Sequence, residues 1–275
     1  MKKKYLLAIP AAAGIYGFLV APRMINKPDV SVLKGVHYAH RGLHDNNSDA
    51  PENSMKAFRK AVEAGYGMEM DVQLTKDKIP VVFHDETLKR MCGVEGKVWE
   101  YTYEELQEFR LAQSEERIPK FEDVLALVDG KVPLIVEYKL DVPSTEVCEI
   151  ADPMLQEYAG VYCIESFHPY AVKWYRDNRP EVIRGQLSQD FSKEEKYKGK
   201  FIYWMLSNLL TNVLTRPDFI AYNHRDAHMI SRKVCSLMGA LPVAYTIKSQ
   251  EEYEKAKDQF ELFIFDSFIL ENDAD

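Results

Sequence analysis

The sequence predicts an α/β chain folded as a (β/α)8 barrel, and three observations carry that expectation. Short apolar segments alternate with amphipathic helical patterns from Val36 onward, the rhythm of parallel βα units. The candidate strands are 36–39, 67–74, 80–84, 132–139, 161–167, 182–187, 219–223, 242–247 and 262–267, one more than such a barrel needs. A single connection resolves the surplus. Only Thr75, Lys76, Asp77, Lys78 and Ile79 separate the second and third segments, too few for a parallel crossover. Segment 80–84 therefore turns back as a hairpin, and eight parallel strands remain. A length of 275 residues suits one barrel of this kind.

The elements follow in chain order. Met1 and three lysines precede an apolar run from Tyr5 to Ala21, roughly 17 residues and at the lower limit for crossing a bilayer. Residues 1–21 are expected to form an N-terminal transmembrane anchor. A cleaved secretory signal, which would release a secreted protein, is the alternative, and Pro22 disfavours it by standing where the cut would fall. A buried helix is the third reading. Lys2, Lys3 and Lys4 before the span, against Arg23, Lys27 and Lys34 after it, favour a single-pass protein with its catalytic domain on the extracytoplasmic side. Residues 22–35, with Pro22, Pro28 and Gly35, read as a linker, and 36–275 as the barrel.

Within the barrel, residues 54–64 gather Ala57, Phe58, Ala61 and Val62 on one helical face. Thr102 with Glu105, and Ser249 with Glu252, have capping-box spacing. Residues 86–131 exceed an ordinary connection, so 86–118 is assigned as an insertion after the second strand's hairpin. Pro153 is expected to interrupt the helix over 144–158. The apolar stretch 201–214 is too short to span a membrane and predicts a buried helix covering the barrel; the sharper alternative is a surface that dips into lipid near the site mouth. A net charge of −8 argues against non-specific nucleic-acid binding. Cys92, Cys148, Cys163 and Cys235 lack CxxC spacing, which argues against zinc and for free thiols.

Catalytic groups of a (β/α)8 barrel sit at the carboxyl ends of its strands. His40 and Arg41 follow the first strand. Glu69 and Asp71 lie two apart on the second, so alternation sends both to the same face. In a sheet covered outside by helices that face is the interior, where two carboxylates are costly without a cation. Glu137 repeats the pattern in L-I-V-E-Y-K, with Lys139 on the same face. Three carboxylates suit one hard divalent cation, Mg²⁺ or Ca²⁺, with Mn²⁺ also admissible. His40 and His84 are the proton-transfer candidates, and Arg41 and Lys139 the phosphate-binding ones. His168 and His224 follow predicted strands and read as surface or capping residues, with substrate contact the alternative.

H-R-G at 40–42, P-E-N at 51–53, A-F-x-x-A at 57–61, M-E-M-D-V-Q-L-T at 68–75, V-V-F-H-D-E-T-L-x-R at 81–90, I-P-K-F-E-D-V-L at 118–125 and V-E-Y-K at 136–139 resemble the glycerophosphodiester phosphodiesterase family. The resemblance implies a TIM barrel with a small insertion after the histidine hairpin. It also implies metal-dependent hydrolysis of small-molecule or lipid glycerophosphodiesters to an alcohol and sn-glycerol 3-phosphate. By position it makes His40 and His84 the catalytic pair, Glu69, Asp71 and Glu137 the metal ligands, and Arg41 and Lys139 the phosphate-binding residues; Glu52 helps arrange the site. The second half departs from the pattern: Tyr245-Thr246-Ile247-Lys248 replaces W-T-x-N, and F-I-F-D-S-F replaces the T-D-x-P ending. Two other functions remain open. One is a lysophospholipase D-like hydrolase of membrane lipids or glycerophosphate polymers, motivated by the anchor. The other is a non-catalytic, membrane-tethered module that binds phosphodiesters.

Overall fold

In the computed structural model, which describes residues 12–140 and 144–270, eight parallel strands close into a barrel. Strand β1 (Tyr38–His40) pairs with β2 (Gly67–Leu74) on one side and β9 (Leu262–Phe265) on the other. Between them run β4 (Leu134–Tyr138), β5 (Tyr162–Ser166), β6 (Arg184–Ser188), β7 (Phe219–Asn223) and β8 (Leu241–Ile247), each paired with its sequence neighbour. Strand β3 (Pro80–Val82) pairs antiparallel with the end of β2, so the hairpin inferred from the short 75–79 connection is present.

Two glycines fix how the interior packs. Tyr38 lies opposite Gly67, and a Cβ on Gly67 would sit 2.8 Å from the Tyr38 ring. A Cβ on Gly185 would fall 2.0 Å from the Phe219 ring. Strand alternation then places Tyr38, Ile135, Cys163, Phe219, Leu241 and Leu262 inward as a dry floor. The same parity sends Glu69, Asp71, Glu137 and Glu165 inward above that floor, toward the carboxyl ends of their strands. The opposite parity of each strand (Met68, Met70, Val72, Val136, Ile164, Ile220, Ala244) packs outward on helices. These include α2 (Met55–Glu63), capped by Ser54, and α5 (Phe121–Val128). Each large apolar side chain so buried contributes about 1.5–3 kcal/mol.

The expected membrane anchor is overturned. Residues 12–20 form helix α1, and its end docks on the barrel, with Val20 and Ala21 buried. Asn212 Nδ2 and Cys235 Sγ both donate to the Val20 carbonyl, at 2.9 and 3.1 Å, and Arg216 Nη1 donates to those of Phe18 and Ala21. Among the described residues no helix is long and apolar enough to cross a membrane. Apolar composition alone does not set helix length, and here the described helix is short and only its end is buried. Residues 1–11 of the anchor assignment lie outside the described residues. Downstream, a short turn at Val30–Leu33, capped by Asp29, inserts Leu33 beneath β1, where the Tyr38 hydroxyl donates to its carbonyl.

The excursion after β3 carries helices α3 (Lys89–Cys92) and α4 (Tyr103–Leu106) around a small core of Phe83, Leu88, Met91, Val98, Leu106 and Leu111. The Thr102–Glu105 capping box is present at α4. At α11 (Gln250–Ala256) Ser249 caps the Glu252 amide, while Glu252 reaches back to the Lys248 amide. Pro153 does not interrupt its helix: α6 runs through it from Glu146 to Glu157. Burial of Val147, Cys148, Ala151 and Leu155 outweighs one lost backbone hydrogen bond there. Following α7 (Pro169–Asn178), whose N-cap is His168, the stretch 201–214 is not one buried helix. It splits into α8 (Phe201–Ser207) and α9 (Asn212–Thr215), and Phe201, Ile202 and Trp204 stay exposed. The last helix before β8 is α10 (Ile230–Leu237).

Candidate active site

Three inward carboxylates meet at the mouth. Glu69, Asp71 and Glu137 each offer an oxygen, and these atoms lie within 4.8 Å of one another, all buried. Asn53 Nδ2 donates to Asp71 Oδ2 at 2.8 Å, and the Arg41 amide donates to Glu69 Oε2 at 3.1 Å. That amide points inward because Arg41 adopts φ +57°, followed by Gly42 at φ +79°, where a Cβ would strike the Ala57 backbone at 2.9 Å. Glu69 Oε1 and Asp71 Oδ1 have no hydrogen-bond partner among the described residues, although Lys139 Nζ stands 2.9 Å from Asp71 Oδ1 and 2.7 Å from Glu137 Oε1. Burial, with the charges of Asp71 and Glu137 added, pushes the Glu69 carboxyl well above its usual range. Buried oxygens without donors, in an all-carboxylate set, fit a hard divalent cation.

Two cations overlook this cluster. Lys139 is buried, which alone would lower its pKa, but Asp71 and Glu137 reverse the sign and hold it charged. Arg41 lies with Nε 3.4 Å from Asp71 Oδ2 and donates from Nη1 to Glu52 Oε1 at 2.7 Å. The two histidines flank them. His40 Nε2 is 3.9 Å from Glu69 Oε2, and burial, aided by the Arg41 charge, pushes the imidazole down to about 4. His84 is one-third exposed, and its Nδ1 lies 2.8 Å from Asp85 Oδ1. That contact occupies Nδ1 and leaves Nε2 as the ring nitrogen for proton transfer. The structure thus brings all seven sequence-predicted residues to one end of the barrel.

The sequence reading missed a supporting set. Arg90 bridges Asp85 (2.6 and 2.8 Å) and Glu52 (2.6 and 2.8 Å) with paired hydrogen bonds, so one chain of contacts runs Arg41–Glu52–Arg90–Asp85–His84. Burial raises the Glu52 carboxyl, yet the hydrogen bonds of Arg90, the Arg41 charge and Asn46 hold it down to about 2. Both its oxygens accept hydrogen bonds, so Glu52 holds the fork of Arg41 in place, and with His84 and Asp85 it forms a second group of possible ligand atoms within 4.8 Å of one another. Asp266, just past β9, lies 3.6 Å from His40 Nδ1, 3.1 Å from His44 Nε2 and 3.3 Å from Lys248 Nζ. Its place after a strand was the available signal, hidden when F-D-S-F was read as a departure. Glu165 on β5 pairs in register with Glu137; it is buried and its Oε2 has no partner among the described residues. His168 and His224 lie outside the cluster, the first capping α7 and the second 3.5 Å from Glu252.

Comparison with known proteins places this constellation. The model of the glycerophosphoryl diester phosphodiesterase family matches residues 40–229, more than half of the chain. The chain belongs to that family. By class it is a phosphoric diester hydrolase. A glycerophosphodiester phosphodiesterase of Caldanaerobacter subterraneus is 34% identical over 168 residues, covering 57% of this chain and 68% of the relative. One from Bacillus altitudinis is 43% identical over 110 residues, covering 38% and 44%. Among solved structures, an Oleispira antarctica phosphodiesterase in complex with the product sn-glycerol-3-phosphate aligns with a TM-score of 0.69 at 21% identity, over 85% of this chain and 93% of the other. A Thermotoga maritima glycerophosphodiester phosphodiesterase aligns at 0.64 and 24%, over 84% and 94%. These structural likenesses establish the fold. The family match covers the cluster residues up to Lys139 and Glu165 but stops before Asp266.

Proposed function

We propose that this member of the family is a metal-dependent phosphodiesterase that hydrolyses glycerophosphodiesters to an alcohol and sn-glycerol 3-phosphate. The observation that carries the reading is the convergence of three buried carboxylates, Glu69 Oε1 among them without a donor among the described residues, with two cations above and a histidine on either side. Glu69, Asp71 and Glu137 hold the cation, Mg²⁺ or Ca²⁺ by the donor set. When bound, it offsets negative charge on the phosphoryl oxygens and increases the acidity of a coordinated oxygen.

The chain's own residues supply the rest. Arg41 and Lys139 bind the non-bridging phosphate oxygens; Glu52 fixes the fork of Arg41, and Asp71 with Glu137 fixes Lys139. His40 and His84 divide the proton work, one taking a proton from the attacking oxygen and the other giving one to the departing alkoxide. Asp85 fixes the ring of His84, and the Asp266 carboxylate stands 3.6 Å from His40 Nδ1, where its charge favours the protonated ring. The test is product identity on glycerophosphocholine. Choline and sn-glycerol 3-phosphate are expected; glycerol with phosphocholine would contradict the reading, because the other P–O bond would have broken.

Asp266 supplies a second test. In Asp266→Asn the carboxylate beside His40 Nδ1 is gone while size is kept, so kcat is expected to fall about 10²–10⁴-fold. KM should stay within a few-fold, since Asp266 reaches no phosphate-binding group. A rise in KM at constant kcat would show that Asp266 positions substrate instead.

A further inference from the structure

Where β9 closes on β1 stands a histidine that the mechanism above does not use. His44, in the loop between β1 and α2, has a side chain only 8% exposed, and neither ring nitrogen has a hydrogen-bond partner among the described residues. A polar ring enclosed in this way is costly unless a nearby charge compensates it. That charge is Asp266, whose Oδ1 lies 3.1 Å from His44 Nε2. Beside a carboxylate the ring keeps its proton on the nearer nitrogen. The loop is tied on both sides of the ring. The Leu43 amide donates to the Ala57 carbonyl at 3.0 Å, and the Asp45 amide to the Ala50 carbonyl at 2.9 Å. The backbone thus fixes where the imidazole stands relative to Asp266.

The two oxygens of Asp266 have different neighbours. Oδ1 accepts from the Ser267 hydroxyl at 2.7 Å and faces His44. Oδ2 faces His40 Nδ1 at 3.6 Å and Lys248 Nζ at 3.3 Å. The Asp266 amide donates to the Ile247 carbonyl at 2.9 Å, which ties the residue to the end of β8. Burial raises the Asp266 carboxyl, but the His40 and His44 rings and the Ser267 hydroxyl hold it well below its usual range, so the charge is present. Lys248 is 54% exposed, and water weakens its pull on Oδ2. His44 is enclosed, so its hold on Oδ1 is not weakened in that way. Without it the carboxylate is free to turn toward Lys248 and away from His40.

We propose that His44 is a positioning residue: by holding Asp266 Oδ1 it keeps Oδ2 opposite His40 Nδ1, and so sets the imidazole that serves proton transfer. This rests on the phosphodiesterase reading above. Among the described residues no ion pair or hydrogen bond joins the His44 ring to Arg41, Lys139 or the three carboxylates. Its loss should therefore act on kcat and spare KM.

Initial rates of the full chain on glycerophosphocholine, with Mg²⁺, Ca²⁺ or Mn²⁺ supplied, provide the test. His44→Gln keeps an amide donor near the place of Nε2, and His44→Leu removes it at similar size. kcat is expected to fall roughly ten- to a hundredfold in His44→Leu and only a few-fold in His44→Gln, with KM within a few-fold in both. His44→Asn, whose amide stops at the place of Nδ1, should lose as much as leucine and serves if leucine does not fold. In the Asp266→Asn background the same loss should shrink to about twofold, because the residue His44 acts through is already changed. Equal losses with and without the donor, an unchanged kcat, a rise in KM at constant kcat, or losses that multiply in the double variant would each overturn the inference and leave the phosphodiesterase reading standing. No turnover by the unsubstituted chain would remove both.

Discussion

Replacing His84 by alanine is expected to lower kcat on a glycerophosphodiester by about 10²–10⁴-fold, with KM changed by no more than a few-fold. The expectation follows from how the residue is held. His84 sits at the turn leaving β3, and its Nδ1 is taken by Asp85. Arg90 locks Asp85, and Glu52 locks Arg90, so alanine removes a proton carrier without loosening the groups that bind phosphate. His40→Ala should cost as much, since both transfers are needed for each turnover. Initial-rate kinetics at saturating substrate decide it. Activity in His84→Ala equal to the unsubstituted chain would sink the acid–base assignment.

The carboxylates give the second large effect, and here activity and stability part. Glu69→Gln and Asp71→Asn should both abolish cation-dependent turnover. In chelator, their stabilities should move in opposite directions. Glu69 is buried with one oxygen lacking a donor among the described residues, and two like charges stand beside it. Neutralising it relieves a buried, underpaired charge and should raise stability by about 1–4 kcal/mol. Asp71 faces Lys139, Arg41 and Asn53. Removing its charge leaves those cations underpaired, and stability should drop by about 3–5 kcal/mol. Melting temperatures of the two variants without cation check this. A fall in both would mean that the three buried acids are already satisfied by the protein itself.

The barrel was largely legible in the sequence because its strands, covered on both faces, are short unbroken apolar runs. Segments 67–74 and 219–223 coincide with β2 and β7, and the five-residue connection sufficed to identify the hairpin. Glu69, Asp71 and Glu137 stood out as charges inside such runs. What stayed hidden depends on tertiary partners. Arg90 acts through Glu52, 38 positions earlier, and nothing in local spacing reports that pairing. Asp266 meets His40 only because β9 closes on β1. The N-terminal run was misread because hydropathy measures transfer out of water and does not report that its end, Val20 and Ala21, is buried against the barrel. For the same reason 201–214 could not be divided into a buried half and an exposed one.

The account's central claim is that Glu69, Asp71 and Glu137 form a cation site on which hydrolysis depends. The most direct test is to strip the full chain with a chelator, return Mg²⁺, Ca²⁺ or Mn²⁺ separately, and follow choline release from glycerophosphocholine. The account predicts no release from the stripped protein, recovery with at least one of the three ions, and no recovery in Glu137→Gln. Release that persists undiminished after chelation, or that returns equally in Glu137→Gln, would contradict it.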